Sequence, residues 1–445
     1  GLDYFIKKDY VNAEKHFERL NELSRYNLLF NDFFGNTLIA WTKATQNKKN
    51  ESFQFLEKIP PPYENLKKTQ KIFLNCYFDS YETNKSFREL INDQEYNFSR
   101  YSFFLINYLL FKNKPLEAKK ILEDSLEEYN SNLLLKQTQD FLTNDKEKIK
   151  RIFNCENPKD SIAEFFYLIA NLYSSEREYQ LSNFYLQISL FLNNKFLPNK
   201  ALLAENFYYQ KKQKLSKNLY KSLNKIGQIY SWYASKNIAA ILVDEKGEEY
   251  SVKYLEKEFK LLKNINFEHY YDLANFFKEN EFYEESIKYY TLALDNIGEN
   301  NPLIAKILDR RGTSFERSGN WEDAEKDLMA SLLISPNQPH VLNYLAYTWV
   351  EMGINLDEAL EMLETANELR ENDGYIIDSL GWAHYAKKDY NKAKFFLEKA
   401  VELFPSEPVI NDHLADTLWM LNKNIQARYI WNYVLQLEDT EQELK

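Results

Sequence analysis

The sequence predicts an all-α chain built as a row of antiparallel helix pairs. Three observations carry this. The stretch Gly374 to Pro405 reads as two amphipathic helices with a turn between them. Small or apolar residues then recur at Ala170, Ala204, Ala239, Ala274, Gly312, Ala346, Gly381 and Ala415, in steps of 34, 35, 35, 38, 34, 35 and 34 residues. Finally, the 33 tyrosines and 31 phenylalanines suit thick helix–helix packing, and none of the ten glycines is grouped as a phosphate-binding loop requires.

Within Gly374 to Pro405, Ile377, Leu380 and Gly381 fall at helical spacing, and Gly381 leaves room for a second helix to lie close. Lys387-Lys388-Asp389 supplies the break, and Asp389 can cap the second helix. Tyr390, Ala393, Leu397 and Ala400 then make one apolar face before Pro405 ends the helix.

Taken in order, residues 1–23 match the second half of this unit, with Tyr10, Ala13, Phe17 and Leu20 at the spacing of Tyr390, Ala393, Leu397 and Ala400. Gly1 then stands where Gly381 does, so most of a first helix is expected upstream. Asn27 to Ile59 gives a pair with small positions Ala40 and Ser52, ended by Pro60-Pro61-Pro62. Lys67 to Ile91 and Arg100 to Tyr129 give two more, the latter with Ile106, Ala118, Leu122 and Ser125 in register. Leu133 to Phe153 is a short, lysine-rich pair, and Asn157-Pro158 reads as a bend. From Ser161 the second-helix small positions follow at Ser182, Ser216, Ser251, Ser286, Ala324, Ala359, Ala393 and Ala427. An enlarged loop at Gly298 to Asn301 accounts for the 38-residue step, and an insertion at Ile354-Asn355 for one of 35. The domain reading is a degenerate stretch at 1–158, continuous with eight more regular repeats at 159–445.

This unit resembles a tetratricopeptide repeat, whose pattern is Trp, Leu-Gly, Tyr, Ala, Phe and a closing Pro over about 34 residues. Leu380, Gly381, Ala393, Ala400 and Pro405 match, while Ile377, His384 and Leu397 replace the Trp, Tyr and Phe. The resemblance implies an α-solenoid, a right-handed superhelix of about twelve antiparallel pairs, whose first helices line a concave binding surface. Side chains flanking the packed positions then point into that groove: Lys306, Asp309, Arg310, Asn343, Tyr344, Tyr347, Asp378, Trp382, Tyr385, Asp412, Asp416 and Trp419. Aromatic and acidic residues dominate, which fits a peptide or partner helix carrying Lys or Arg beside apolar side chains. Tyr344 and Trp419 fit equally well as packing between repeats. The family's clamp for chaperone tails needs Lys, Asn and Arg in successive repeats, and only scattered members occur here. Leu342-Asn343-Tyr344-Leu345-Ala346-Tyr347, Asp378-Ser379-Leu380-Gly381-Trp382 and Ala427 to Trp431 also resemble a narrower group. These are bacterial cell-envelope repeat lipoproteins that act as adaptors for a carboxyl-terminal processing protease. That resemblance implies a periplasmic or outer-membrane-tethered scaffold; a cytoplasmic scaffold or co-chaperone, or the repeat region of an enzyme, is the alternative.

The rest of the sequence sets limits. A net charge of −11 opposes a general nucleic-acid binder. The apolar runs Phe103 to Phe111 and Ile238 to Val243 fall short of the ~20 residues of a spanning helix. His16, His269, His340, His384 and His413 form no metal-ligand spacing, and no nucleophile motif appears, so neither an enzyme nor a cofactor is expected. Asp412, His413 and Asp416 do cluster at helical spacing. Lys211, Lys212, Lys214, Lys217, Lys221 and Lys225 form a basic run that reads as a solvated outer face, with an anionic surface as the alternative partner. Cys76 and Cys155 lie 79 residues apart. Stacked layers ~8–10 Å apart would hold them beyond the roughly 7 Å of a disulfide, so two buried thiols are expected.

Overall fold

The protein is described by a computed structural model over residues 1–23, 33–93, 95–129 and 131–437. Residues 27–32 of the predicted Asn27 to Ile59 pair lie outside the described residues. Contacts group the chain into two units, Gly1–Lys263 and Asn264–Lys445.

The first unit contains α1 (Leu2–Ile6), α2 (Tyr10–Leu23), α3 (Phe33–Thr45), α4 (Lys49–Glu57), α5 (Glu64–Tyr77), α6 (Thr83–Ile91), α7 (Tyr101–Phe111) and α8 (Pro115–Glu128). It continues with α9 (Leu133–Asn144), α10 (Lys146–Ile152), α11 (Pro158–Ser175), α12 (Tyr179–Leu192), α13 (Leu197–Tyr209), α14 (Gln213–Leu223), α15 (Gln228–Lys246) and α16 (Glu248–Phe259). The second contains α17 (Phe267–Glu279), α18 (Tyr283–Asn296), α19 (Leu303–Arg317), α20 (Trp321–Ile334) and α21 (Pro339–Met352). After these come α22 (Leu356–Leu369), α23 (Gly374–Ala386), α24 (Tyr390–Leu403), α25 (Pro408–Met420) and α26 (Asn424–Val434). The chain is thus an all-α, tetratricopeptide-like solenoid of antiparallel pairs, as the periodicity predicts.

Local sequence sets the helix ends. The Asp373 side chain accepts from the backbone N–H of Tyr375 and Ile376 at 3.1 and 3.4 Å, and Asp389 does the same for Lys392 at 3.3 Å. Asn157-Pro158, read as a bend, is the start of α11: Asn157 caps Lys159 and Pro158 takes the first helical position. At the turn inside most pairs one residue is left-handed, including Asn47, Asn113, Lys211, Lys388 and Asn422. That conformation lets Asp389 N–H reach the His384 carbonyl at 2.9 Å and satisfies a helix-end acceptor.

The register positions are where helices touch. Ala170, Ser182, Ala204, Ser216, Ala346, Ala359, Ala393, Ala415 and Ala427 are all fully buried. A Cβ placed on Gly381 would lie 2.7 Å from Leu397 Cγ and 3.3 Å from the Ala393 carbonyl oxygen, closer than a side chain tolerates.

Cys76 and Cys155 form a disulfide, with Cα atoms 5.8 Å apart, and this corrects the expectation of two thiols. That expectation assumed that each repeat meets only its sequence neighbours. In the first unit this fails, because α11 packs directly on α3 and α5, and α9 packs on α15. Phe165 of α11 meets Phe33 and Phe34 of α3, each at 5.3 Å between ring centroids. Asn107 of α7 donates to the carbonyls of Ile149 and Phe153 at 3.0 and 2.7 Å, holding the short α9–α10 pair against the preceding repeat. The chain thereby folds back and sets Cys155 beside α5.

Two outcomes are expected. Ala393→Leu should cost about 1–3 kcal/mol by overpacking, with hydrogen-exchange protection lost first in α23 to α26; uniform wild-type protection would oppose this register. Replacing Cys76 and Cys155 by alanine should destabilise the first unit by about 2–4 kcal/mol, read by denaturant titration. Non-reducing peptide mapping of the wild-type chain should return the two cysteine peptides joined.

Candidate functional site

In the second unit the first helices α21, α23 and α25 contact one another in succession, so the residues flanking their packed positions share one face. Trp382 of α23 is the centre of that face. Its ring stacks on His413 of α25 at 4.0 Å and 12°, and on Tyr385 at 4.4 Å and 8°. Its indole N–H donates to Glu351 of α21. Tyr347 approaches the same imidazole, with 6.4 Å between centroids. The structure therefore brings Tyr347, Trp382 and Tyr385 together, and adds His413 and Glu351, which are not among the predicted groove positions. Glu351 lies four residues beyond Tyr347, one helical turn along the same face, and that spacing could have found it.

Asp378 is 5% exposed, and His413 Nδ1 meets its two carboxylate oxygens at 3.0 and 3.1 Å. It therefore orients the imidazole beneath Trp382 instead of facing solvent. Burial works against a charged His413, but the charge and hydrogen bond of Asp378, with Glu351 and Asp412 behind them, raise its pKa overall. Asp412 and Asp416 are half-buried, and burial raises both carboxyls, with Asp412 adding repulsion at Asp416. Trp431, 5.6 Å from Trp419 between centroids, lies beside this acidic pair and opposes that rise. Trp419 itself is 40% exposed, with the Arg428 guanidinium 5.9 Å from its ring.

The other selected residues lie toward α19. Tyr344 donates its hydroxyl to Glu316 at 2.5 Å, and Asn343 is half-buried with Oδ1 unbonded among the described residues. Lys306, Asp309, Arg310 and Tyr344 line a cavity of about 740 Å³ with Lys278, whose pKa is lowered by burial and by Arg310. One face thus runs from a basic section to an aromatic, acidic one. Of the lysine run, Lys217 is tied to Glu245 and Lys212 lies 5.7 Å from the Phe207 ring. Among the described residues no group of three or more His, Cys, Asp or Glu is placed to hold a metal ion. No helix among them is long and apolar enough to cross a membrane.

Residues 376–407 match the family model described as tetratricopeptide repeat. The chain is 29% identical over 108 residues to TPR repeat-containing protein PA4667 of Pseudomonas aeruginosa. That match takes in 24% of this chain and 18% of the relative, so the chain spans less than a fifth of the curated relative's length. Among solved structures, a tetratricopeptide repeat protein from Parabacteroides merdae aligns over 48% of this chain and 82% of its own, at 17% identity and TM-score 0.41. The C-terminal part of a repeat protein from Cytophaga hutchinsonii aligns over 54% and 96%, at 16% identity and TM-score 0.40. PilF of Pseudomonas aeruginosa aligns over 40% and 79%, at 19% identity and TM-score 0.35. These similarities are to bacterial repeat proteins.

The sign of the His413 effect can be tested. A raised folded-state pKa contributes stability that is fully present below the ordinary imidazole value of ~6.5 and is lost as pH rises through the raised value. The thermal stability of the second unit should therefore fall on alkalinisation through that window, and His413→Gln should flatten the slope. An unchanged slope in the variant would show that His413 is not the group responsible.

Proposed function

We propose that this chain is a non-catalytic scaffold that holds a partner polypeptide against the first helices of its second unit. The observation that carries this reading is the half-buried Trp382, stacked between Tyr385 and His413, with Glu351 on its indole N–H, Asp416 near Tyr385 and Asp412 near His413. With both faces of Trp382 covered, it is the outer face of Tyr385, with Asp416 near it, that receives a Lys or Arg by cation–π contact and charge, and the neighbouring apolar side chains by burial. Asn343, Tyr344, Tyr347 and Trp419 extend the surface along the helices, while Asp378 acts through His413. No cofactor is needed for such binding. The cell-envelope adaptor role implied by the resemblance at 342–347, 378–382 and 427–431 is the specific form we favour. It gains support from the Cys76–Cys155 disulfide, since such bonds persist in oxidising compartments and are rare in the cytosol.

The test is a panel of extended peptides with Lys or Arg beside aromatic or aliphatic residues, titrated against the full chain. Trp382→Ala should weaken the peptides that bind by about 2 kcal/mol or more with far-ultraviolet circular dichroism unchanged. Asp416→Asn should reduce the salt dependence and the on-rate. Equal affinity for Trp382→Ala, or preference for glutamate-bearing peptides, would remove the proposal.

A further inference from the structure

The first unit has its own pocket, formed where α9, α11, α13 and α15 meet. It is a cavity of about 360 Å³, within the ~300–1,000 Å³ common for small-ligand sites. Leu133, Leu134 and Leu202 give it an apolar wall, Tyr167, Tyr230 and Tyr233 an aromatic one, and Glu205 supplies a carboxylate.

The charge in this pocket is unbalanced. Glu205 accepts one hydrogen bond, from the Tyr233 hydroxyl, and no Lys, Arg or His pairs with it among the described residues. Burial pushes its carboxyl pKa up, opposed only by that hydroxyl. The tyrosines offer hydroxyl dipoles and ring faces but no positive charge. The one cation in the wall, Arg100, is already engaged: its Nε and Nη2 donate to the two oxygens of Glu164 at 2.9 and 2.6 Å. Its guanidinium carbon lies 3.9 Å from the Tyr167 ring centroid, which fixes the plane further. Glu164 is fully buried, so this bidentate pair adds little net charge to the cavity. What remains is a carboxylate without a counter-ion, beside electron-rich ring faces and an apolar wall.

We propose that this cavity binds an organic cation, a primary ammonium or guanidinium on an alkyl arm, with the charged head on Glu205 and the arm along Leu133, Leu134 and Leu202. The head gains a charge-assisted hydrogen bond and cation–π contact with the half-buried Tyr233. The arm buries its methylenes, which a bare inorganic cation cannot do. Both a free alkylamine and the lysine or arginine side chain of a polypeptide have this chemistry. The site belongs to the first unit alone and does not rest on the peptide surface of the second.

The experiment titrates the full chain with butylamine, agmatine, acetyl-Gly-Lys-Gly-amide and acetyl-Gly-norleucine-Gly-amide at neutral pH, read by saturation-transfer NMR and calorimetry. The lysine peptide should bind at least about tenfold more tightly than the norleucine peptide, and Glu205→Gln should erase that difference while Trp382→Ala leaves it intact. Butylamine or agmatine binding as well as the lysine peptide assigns a free amine, and a tighter peptide assigns a side chain. The norleucine comparison made in Trp382→Ala, where the peptide surface of the second unit is impaired, isolates this cavity even if Glu205→Gln fails to fold. Equal binding of lysine and norleucine, unchanged affinity in a folded Glu205→Gln, or no binding of any cation at millimolar concentration would overturn the proposal.

Discussion

Everything in this molecule depends on how closely the two helices of a pair can approach. At the crossing point of each well-formed pair stands a residue with little or no side chain on one helix and another opposite it. Ala204 against Ser216, Gly312 against Ala324, Ala346 against Ala359 and Gly381 against Ala393 are all buried. A larger residue would push the axes apart and open gaps around Leu363 and Leu397, and a packed interior tolerates neither. Because the small positions recur at nearly constant spacing, every pair presents its faces to the next at a similar place. The first helices are thereby brought side by side.

A second device ties pair to pair. Seven residues after the small position of the second helix, a serine hydroxyl donates to the carbonyl seven residues before the small position of the first. Ser189 reaches Ala163 at 2.5 Å, and Ser331 reaches Ala305 at 2.8 Å. Each hydroxyl in turn accepts an amide from the following helix or its cap, Asn199 at 2.7 Å and Gln338 at 3.0 Å. Both serine hydroxyls thus donate and accept, leaving only Asn199 Oδ1 of these groups without a partner among the described residues, and buried hydroxyls satisfied on both sides help to rigidify a scaffold. Rigid first helices then allow a stack such as that of Trp382 to be held in advance of binding, which lowers the ordering cost when a partner arrives.

Much of this is legible in the sequence because it is periodic. Helix pairs, small positions, the enlarged loop before α19 and the cap at Asp389 all follow from local spacing. The features that escape are those periodicity cannot carry. The contact of α11 with α3 and α5 joins residues far apart in sequence, and it turns two expected thiols into a disulfide. Register alone places Asp378 in the groove, yet a histidine 35 residues later draws it inward. Glu205, too, looks like any helix glutamate in sequence; its character comes from Tyr167, Tyr220, Tyr230 and Tyr233, which three other helices bring around it.

The central claim is that partners are met on the first-helix face of the second unit. Site-specific photo-crosslinking in cells tests it most directly, with benzoylphenylalanine placed at Tyr385 or Trp419 on that face. Phe395 and Tyr429 on second helices, 66% and 77% exposed, serve as comparison positions. The expected result is a discrete partner adduct from Tyr385 and Trp419 that is absent from Phe395 and Tyr429. Adducts from Phe395 or Tyr429, with none from Tyr385 and Trp419, would contradict the claim.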